Sequence, residues 1–226
     1  MAAVKGKTNW FAIWISVAVL VVVALVIALV VWMNNAATGP GTAPDAANIN
    51  AETGAIIVGD GTGTIDTYID FMCPVCNQFE QQYGETINAA VADGSATLNI
   101  HPISILDRAS QGTKYSTRSA NAMYCVAVAD PDASVDFMQA MYENQPEESS
   151  KGLTNEEILG IASGVGVTDI DSCVTDETYS KYVTAMTPKT PVQPGAAGIG
   201  TPTVVVNDEV LTLTGDPAAD ITARLQ

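Results

Sequence analysis

Residues 70–76 of this 226-residue chain read Asp-Phe-Met-Cys-Pro-Val-Cys, and they are the most informative part of the sequence. Before it, residues 64–72 alternate and are rich in Ile, Thr, Tyr and Phe, which predicts a β-strand. After it, residues 77–91 carry apolar side chains at every fourth position, which predicts a helix. The N-terminus of a helix offers unpaired N–H groups and the positive end of its dipole, which favour a thiolate on Cys73. The spacing therefore predicts that Cys73 and Cys76 exchange a disulfide with another protein.

A Cys-x-x-Cys pair also occurs as a structural disulfide or as half of a zinc site. A zinc site needs two further ligands, and the remaining His and Cys residues are His101, Cys125 and Cys173, whose spacing does not match. We therefore expect no metal. Disulfide exchange between thiols also needs no small-molecule cofactor. The redox interpretation is favoured, and a purely structural bridge remains the alternative.

Residues 10–32 form a stretch of 23 residues without a charge. A helix of this length spans roughly 35 Å, enough to cross a hydrocarbon core of about 30 Å. We predict a transmembrane anchor over residues 10–33. Because Lys5 and Lys7 precede it, the positive-inside rule places residues 1–9 in the cytoplasm and everything after the anchor outside the cell membrane. A cleaved signal peptide is the alternative, although its apolar region is usually only about 7–15 residues long.

The part of the chain after the anchor is strongly acidic. It carries all 25 acidic residues but only seven of the nine basic ones, a formal charge of −18. This charge disfavours nucleic acid and anionic lipid as partners and favours encounters with basic or neutral proteins. All four cysteines also lie in this part, and an even number in an oxidising compartment predicts two disulfides.

The predicted elements follow in a β, β, helix, β, helices, hairpin, helix order. Residues 34–54, rich in Ala, Gly, Pro, Asn and Thr, are expected to be a flexible linker. Further strands are predicted at 55–58, 97–106, 203–206 and 210–213, and Pro102 suggests an edge position or a bulge for the second of these. Helices are predicted at 115–129, 134–144, 154–163, 176–186 and 216–225. The result is an α/β core over residues 55–106 and 199–226, interrupted by a helical insertion over 107–198.

This arrangement resembles the thioredoxin superfamily, and within it the DsbA-like thiol–disulfide oxidoreductases of the membrane-tethered Gram-positive type. Three stretches carry the resemblance: the Cys73–Cys76 turn, Gly200-Thr201-Pro202-Thr203 before the last hairpin, and residues 115–122 at the start of the insertion. The resemblance implies a thioredoxin fold with a helical insertion over residues 55–226. It also implies a cis-proline at Pro202 that faces the dithiol and leaves the backbone of Thr201 free to pair with an extended client.

In one place the sequence departs from the family pattern. The family carries a buried acid six residues before the first cysteine, where this chain has Thr67. Asp66 and Asp70 flank that position, but strand alternation is expected to place both on the opposite face. No catalytic carboxylate is therefore assigned.

Cys125 and Cys173 form the second cysteine pair, one in the first inserted helix and the other before the last. We favour a structural disulfide between them. A second redox couple that relays electrons is the alternative, which the spacing does not support.

The sequence as a whole predicts an extracytoplasmic, membrane-anchored enzyme that donates the Cys73–Cys76 disulfide to exported proteins with cysteine thiols. Pro74, Val75, Thr201 and Pro202 are the expected substrate-binding residues, and a membrane thiol oxidase is expected to reoxidise the pair. The alternatives are a reductase or isomerase with the same fold and a non-catalytic binding module of the cell envelope. The single histidine, His101, is expected to be an ordinary strand residue.

Overall fold

The structure is a computed structural model that describes residues 10–225. The chain divides into two compact units, one up to Gly39 and one from Pro40 onward. The predicted cytoplasmic segment, residues 1–9, lies outside the described residues, as does Gln226.

The first unit is one long helix, α1, which spans Trp10–Thr38. Its stretch Ile13–Val31 has a mean hydropathy of 3.2 over 19 residues, and its apolar side chains are exposed. At about 1.5 Å per residue this stretch is roughly 29 Å long, close to the thickness of a hydrocarbon core. The helix thus has the length and composition of a membrane anchor or a signal sequence.

The segment predicted as a flexible linker, residues 34–54, is structured differently. α1 runs through its first residues to Thr38, and strand β1, Ile49–Asn50, pairs with the next strand of the second unit. Ile49 is buried, and the Asn48 side chain donates to the carbonyl of Ala127 at 3.1 Å. The linker prediction was wrong for this end of the segment. β1 forms an edge strand of the sheet and Ile49 is buried, and the amino-acid composition of a segment does not predict such contacts.

The second unit contains one mixed sheet, with six strands among the described residues in the order β1-β2-β4-β3-β5-β6. The strands after β1 are β2 Ala55–Val58, β3 Gly63–Ile69, β4 Ala96–Pro102, β5 Thr203–Val206 and β6 Glu209–Val210. β3 and β4 are parallel, and the other neighbours are antiparallel. β3 lies near the centre of the sheet, and the Cys73–Cys76 turn follows directly after its C-terminal end.

The expected position of Pro102 was wrong. β4 lies between β2 and β3 rather than at an edge, and Pro102 is its last residue, opposite Ile69. A proline is tolerated there because the strand ends, and the next N–H, that of Ile103, donates to the Ile69 carbonyl at 2.9 Å.

Helix α2 spans Pro74–Ala92 and begins directly after Cys73. Pro74 occupies its first turn, where the missing N–H costs nothing and the fixed φ suits a helix. Phe79, Tyr83 and Ile87 form its buried face at a spacing of four residues. The helix ends at Ala92 and is capped by Asp93. The next residue, Gly94, has a φ of +76°, the left-handed conformation that commonly follows a helix.

Five α-helices lie between β4 and β5 in sequence. They are α3 Tyr115–Ala129, α4 Ser134–Glu143, α5 Asn155–Gly164, α6 Asp171–Thr175 and α7 Ser180–Met186. α3 is the central one, buried over twelve of its fifteen residues. The capping box predicted from Thr154 and Glu157 is present at the start of α5. After β6, a short helix α8, Pro217–Asp220, and a 3-10 turn replace the single closing helix predicted at 216–225.

The α/β class with helices inserted between two parts of the sheet is confirmed. α6 was missed because its five residues are too short for a periodic pattern to emerge.

Candidate active site

The two thiols lie where the sheet meets helix α2. Cys73 is the residue that precedes the helix, with extended backbone, and Cys76 lies in the first turn. Both thiols are free in this structure. Cys73 keeps 6% of its surface exposed, whereas Cys76 has none. A visiting thiol therefore meets Cys73 first, and Cys76 is the inner partner.

The environment separates the acidities of the two thiols. The Cys76 thiol donates a hydrogen bond to the Cys73 sulfur, and the backbone N–H groups of Cys76 and Val75 point to it as well. Together they lower the pKa of Cys73 to about 7, against burial, which acts in the opposite direction. Burial, followed by the hydrogen bond to Cys73, raises the pKa of Cys76 well above its ordinary value. The arrangement therefore places the thiolate on Cys73, the more accessible sulfur.

Thr201 faces both sulfurs across the site. The Cys73 thiol lies 3.7 Å from the Thr201 carbonyl oxygen, and the Cys76 sulfur lies 3.0 Å from its Oγ1. The peptide bond between Thr201 and Pro202 is cis. The loop before β5 thus reaches the dithiol, as the resemblance implied.

The four residues expected to bind substrate differ in exposure. Pro74 and Val75 are exposed, and 54% of the Val75 surface is accessible. Thr201 is half-buried and Pro202 is buried. Direct contact with a client is thus open to Pro74, Val75 and Thr201.

Asp70 is a buried carboxylate, and the prediction that it lies on the face of the strand opposite Thr67 was wrong. β3 ends at Ile69, so strand alternation does not apply to Asp70, and its side chain is fully buried. Its two oxygens accept the backbone N–H groups of Met72 at 2.9 Å and Leu106 at 2.8 Å. Burial raises the pKa of Asp70 to about 6. The signal in the sequence was an acid three residues before Cys73, immediately after the strand.

Thr67 and Asp66 lie as alternation predicts. Thr67 is buried, while Asp66 lies on the opposite face of β3 and its Oδ1 is 2.8 Å from Nε2 of His101. The His101 ring stacks on Tyr68 with centroids 4.1 Å apart. His101 is thus a buried strand residue with a carboxylate partner on the neighbouring strand.

Cys125 and Cys173 are joined by a disulfide that links α3 to α6. These two sulfurs are therefore not available as metal ligands. In residues 10–225, no group of three or more His, Cys, Asp or Glu side chains is arranged to hold a metal ion.

A sequence model of the family described as Thioredoxin matches residues 54–219. The chain belongs to the thioredoxin family. The matched range starts one residue before β2 and ends in α8, so this thioredoxin-family region includes the helices between β4 and β5 as well as the dithiol.

This thioredoxin-family chain is similar in structure to several solved disulfide oxidoreductases. It is similar to the reduced form of DsbG from Mycobacterium tuberculosis, with 28% identity, a TM-score of 0.65, and coverage of 84% of this chain and 89% of that one. It is also similar to reduced DsbA from the same organism, with 28% identity, a TM-score of 0.64, and coverage of 83% and 91%. MdbA of Actinomyces oris shares the fold at 24% identity, with a TM-score of 0.63 and coverage of 81% and 92%. The predicted enzyme class, a DsbA-like thiol–disulfide oxidoreductase, is confirmed.

A curated relative is the serine/threonine-protein kinase PknE of Mycobacterium tuberculosis, which is 33% identical over 128 residues. The alignment covers 54% of this chain but 23% of the kinase. The thioredoxin-family chain therefore spans less than a quarter of the length of that relative.

Proposed function

We propose that this oxidoreductase donates disulfides to exported proteins. A client thiolate attacks the Cys73 sulfur of the oxidised pair, and Cys76 leaves as the first thiolate. A second client thiol then attacks the client sulfur of the mixed disulfide, and Cys73 leaves. The client loses two electrons and forms a disulfide, and the enzyme gains them as two thiols.

The observation that carries this proposal is the unequal acidity of the two thiols. A sulfur with a low pKa is a good leaving group, and stabilising its thiolate favours the reduced enzyme. The pKa of Cys73 lies at about 7, and that of Cys76 is raised. The second step of donation, in which Cys73 leaves, is thereby favoured.

Client binding is proposed at the surface around Cys73. Pro74 and Val75 offer exposed apolar area beside the sulfur. Thr201 is half-buried and its backbone carbonyl faces Cys73, so its backbone is placed to pair with an extended client segment as an added strand. Pro202, which is buried, follows Thr201 through the cis bond and contributes to the site from inside the fold. The acidic surface favours clients that are basic or neutral.

The proposed topology is a single-pass anchor with the catalytic unit outside the cytoplasm. It rests on the apolar helix α1 and on Lys5 and Lys7, which precede that helix in the sequence. Labelling of intact cells with a membrane-impermeant maleimide tests it, and Cys73 should react after mild reduction. Reaction only after cell lysis would contradict this topology. Reoxidation is assigned to a membrane thiol oxidase, because nothing in the proposed cycle regenerates the disulfide.

The direction of transfer is tested by equilibrating the full chain, in detergent micelles, with glutathione buffers and measuring the oxidised fraction of the Cys73–Cys76 pair. A donor should have a potential nearer to about −120 mV, as in DsbA, than to about −270 mV, as in thioredoxin. A value near that of thioredoxin would overturn the donor assignment in favour of a reductase.

The refolding of a reduced multi-cysteine protein gives the kinetic counterpart. Wild-type chain should accelerate disulfide formation, and Cys73→Ser should abolish it. If Cys73→Ser retained full effect, the chain would act as a binding module rather than through its thiols.

A further inference from the structure

The end of helix α4 contacts the turn that carries Cys73. Tyr142 lies in the last turn of α4, and Gln145 follows two residues after the helix ends. The Tyr142 hydroxyl donates to the Asp70 carbonyl at 3.4 Å, and its ring packs on Phe71 with centroids 5.3 Å apart. A segment of the helical insertion is thus packed against the redox turn, about seventy residues away in the chain.

Gln145 makes the closest of these contacts. Its Nε2 donates to the carbonyl of Phe71 at 3.0 Å and to the carbonyl of Cys73 at 2.9 Å. A side-chain amide has two N–H bonds, so one group satisfies both carbonyls. Phe71 is fully buried, so water does not supply a hydrogen bond to its carbonyl, and Gln145 provides the donor instead.

Asn77, one residue after Cys76, orients the Gln145 amide. Its Nδ2 donates to Oε1 of Gln145 at 3.1 Å and to the carbonyl of Tyr142 at 3.0 Å. Gln81, one turn further along α2, donates to Oδ1 of Asn77 at 2.9 Å. These side chains form a chain of hydrogen bonds that runs in one direction and ends on the Cys73 carbonyl. The Asn77 and Gln145 amides can make these bonds in only one of their two flipped orientations.

We propose that Gln145, oriented by Asn77, is a positioning residue that holds the Cys73 carbonyl and thereby keeps the Cys73 sulfur aligned with the first N–H groups of helix α2. This inference rests on the proposed function, since it concerns the same sulfur.

The physical reason lies in the first turn of α2. The Cys73 carbonyl accepts the N–H groups of Cys76 at 3.1 Å and Asn77 at 3.3 Å, so its direction and that of the first turn are coupled. Pro74 has no N–H, so the backbone donors to the Cys73 sulfur, beside the Cys76 thiol, are the N–H groups of Val75 and Cys76. A carbonyl released from Gln145 can rotate, and those two N–H groups then lose their alignment with the sulfur.

The test is Gln145→Met, which keeps the length of the side chain but removes both the donor and the acceptor. The pKa of Cys73 is followed by the ultraviolet absorbance of its thiolate in the full chain in detergent. We expect an upward shift of about half to one unit, the size that the loss of one hydrogen bond produces. A residue needed only for stability would lower the melting temperature without moving this pKa.

Gln139→Met is the matched control. Gln139 lies on α4 itself and, like Gln145, donates a hydrogen bond across to another part of the chain, but its partner is Oε1 of Glu80 on α2, at 2.9 Å, away from the redox turn. This variant should leave the pKa of Cys73 unchanged. An equal shift in both variants would overturn the proposal, because the effect would then come from loosened packing between α2 and α4.

An unchanged pKa in Gln145→Met would overturn it as well. Should that variant fail to fold, Asn77→Ala tests the same chain of hydrogen bonds from the other side, with a smaller shift in the same direction expected and no shift contradicting the proposal. The wild-type measurement separates the two ideas. An ordinary pKa of Cys73 in the wild type would remove the basis of the proposed function. A lowered pKa in the wild type that Gln145→Met and Asn77→Ala both retain would contradict the positioning role alone.

Discussion

The hydroxyl of Thr201 lies 3.0 Å from the sulfur of Cys76, although the two residues are 125 positions apart. The same hydroxyl lies 3.1 Å from the Tyr68 carbonyl, to which it donates. It can therefore turn toward the sulfur when Cys76 becomes a thiolate, the species that leaves in the first step of donation. Thr201 thus connects the loop before β5 to the inner thiol.

Thr201→Val, which keeps the shape and removes the hydroxyl, should slow the formation of the mixed disulfide. One hydrogen bond to the leaving thiolate corresponds to a slowing of about 2- to 10-fold. Stopped-flow reaction of the oxidised chain with a small thiol measures this step. Thr203→Val is the control, since the Thr203 hydroxyl donates to the Gly200 carbonyl instead. Equal slowing in both variants would contradict the assigned role.

The reaction of Cys73 with iodoacetamide should reach half of its maximal rate near pH 7. A lowered pKa means a larger thiolate fraction at neutral pH, and a free cysteine reaches the same point only near a pH of about 8.5. Mass spectrometry of the labelled chain identifies the modified residue. Cys76→Ala should move the midpoint upward, because the Cys76 thiol is the main donor to the Cys73 sulfur. A wild-type midpoint as high as that of a free cysteine would refute the assignment of the thiolate.

Asp70→Asn should remove part of the pH dependence of stability. The raised pKa of about 6 means that the folded chain binds this proton more tightly than the unfolded chain. The resulting stabilisation is fully present below a pH of about 4 and is lost as the pH rises through about 6. Relative to the variant, the wild type should therefore lose up to about 3 kcal/mol over this range. Urea unfolding of both proteins across this pH range measures the difference, and a constant difference would show that Asp70 does not titrate there.

Loss of the disulfide between Cys125 and Cys173 should destabilise the second unit without changing the active-site couple. The bridge closes a loop with a sequence separation of 48, which on the chain-entropy argument corresponds to about 4 kcal/mol. Unfolding of the Cys125→Ala/Cys173→Ala double variant in urea measures this. The reduction potential of Cys73–Cys76 should stay within error of the wild type. A clear shift in that potential would support the electron relay that the spacing disfavoured.

Local sequence patterns predicted most of the regular elements. The fourfold spacing of Phe79, Tyr83 and Ile87 reports the buried face of α2, and the alternation from Gly63 to Ile69 reports that of β3. Such periodicities follow from backbone geometry, so a single sequence contains them. They fail where elements are short, as with α6, or where an apolar residue joins a sheet from an irregular segment, as Ile49 does.

The candidate site divides in the same way. The pair of thiols and the helix after them are adjacent in the chain, so the sequence predicts the thiolate on Cys73. The burial of Asp70 depends on where β3 ends and on the Leu106 N–H from the loop after β4. No local pattern carries that information.

The amino-acid sequence alone predicts the dithiol at a helix start, the long apolar segment and the acidic character of the chain beyond that segment, since each depends on neighbouring residues or on composition. The contacts of Gln145 with the Cys73 carbonyl and of Thr201 with Cys76 are seen only in the folded chain. These contacts join residues 72 and 125 positions apart. They form only when the sheet and the inserted helices pack together, because the packing, and not the local chain, sets which polar groups meet.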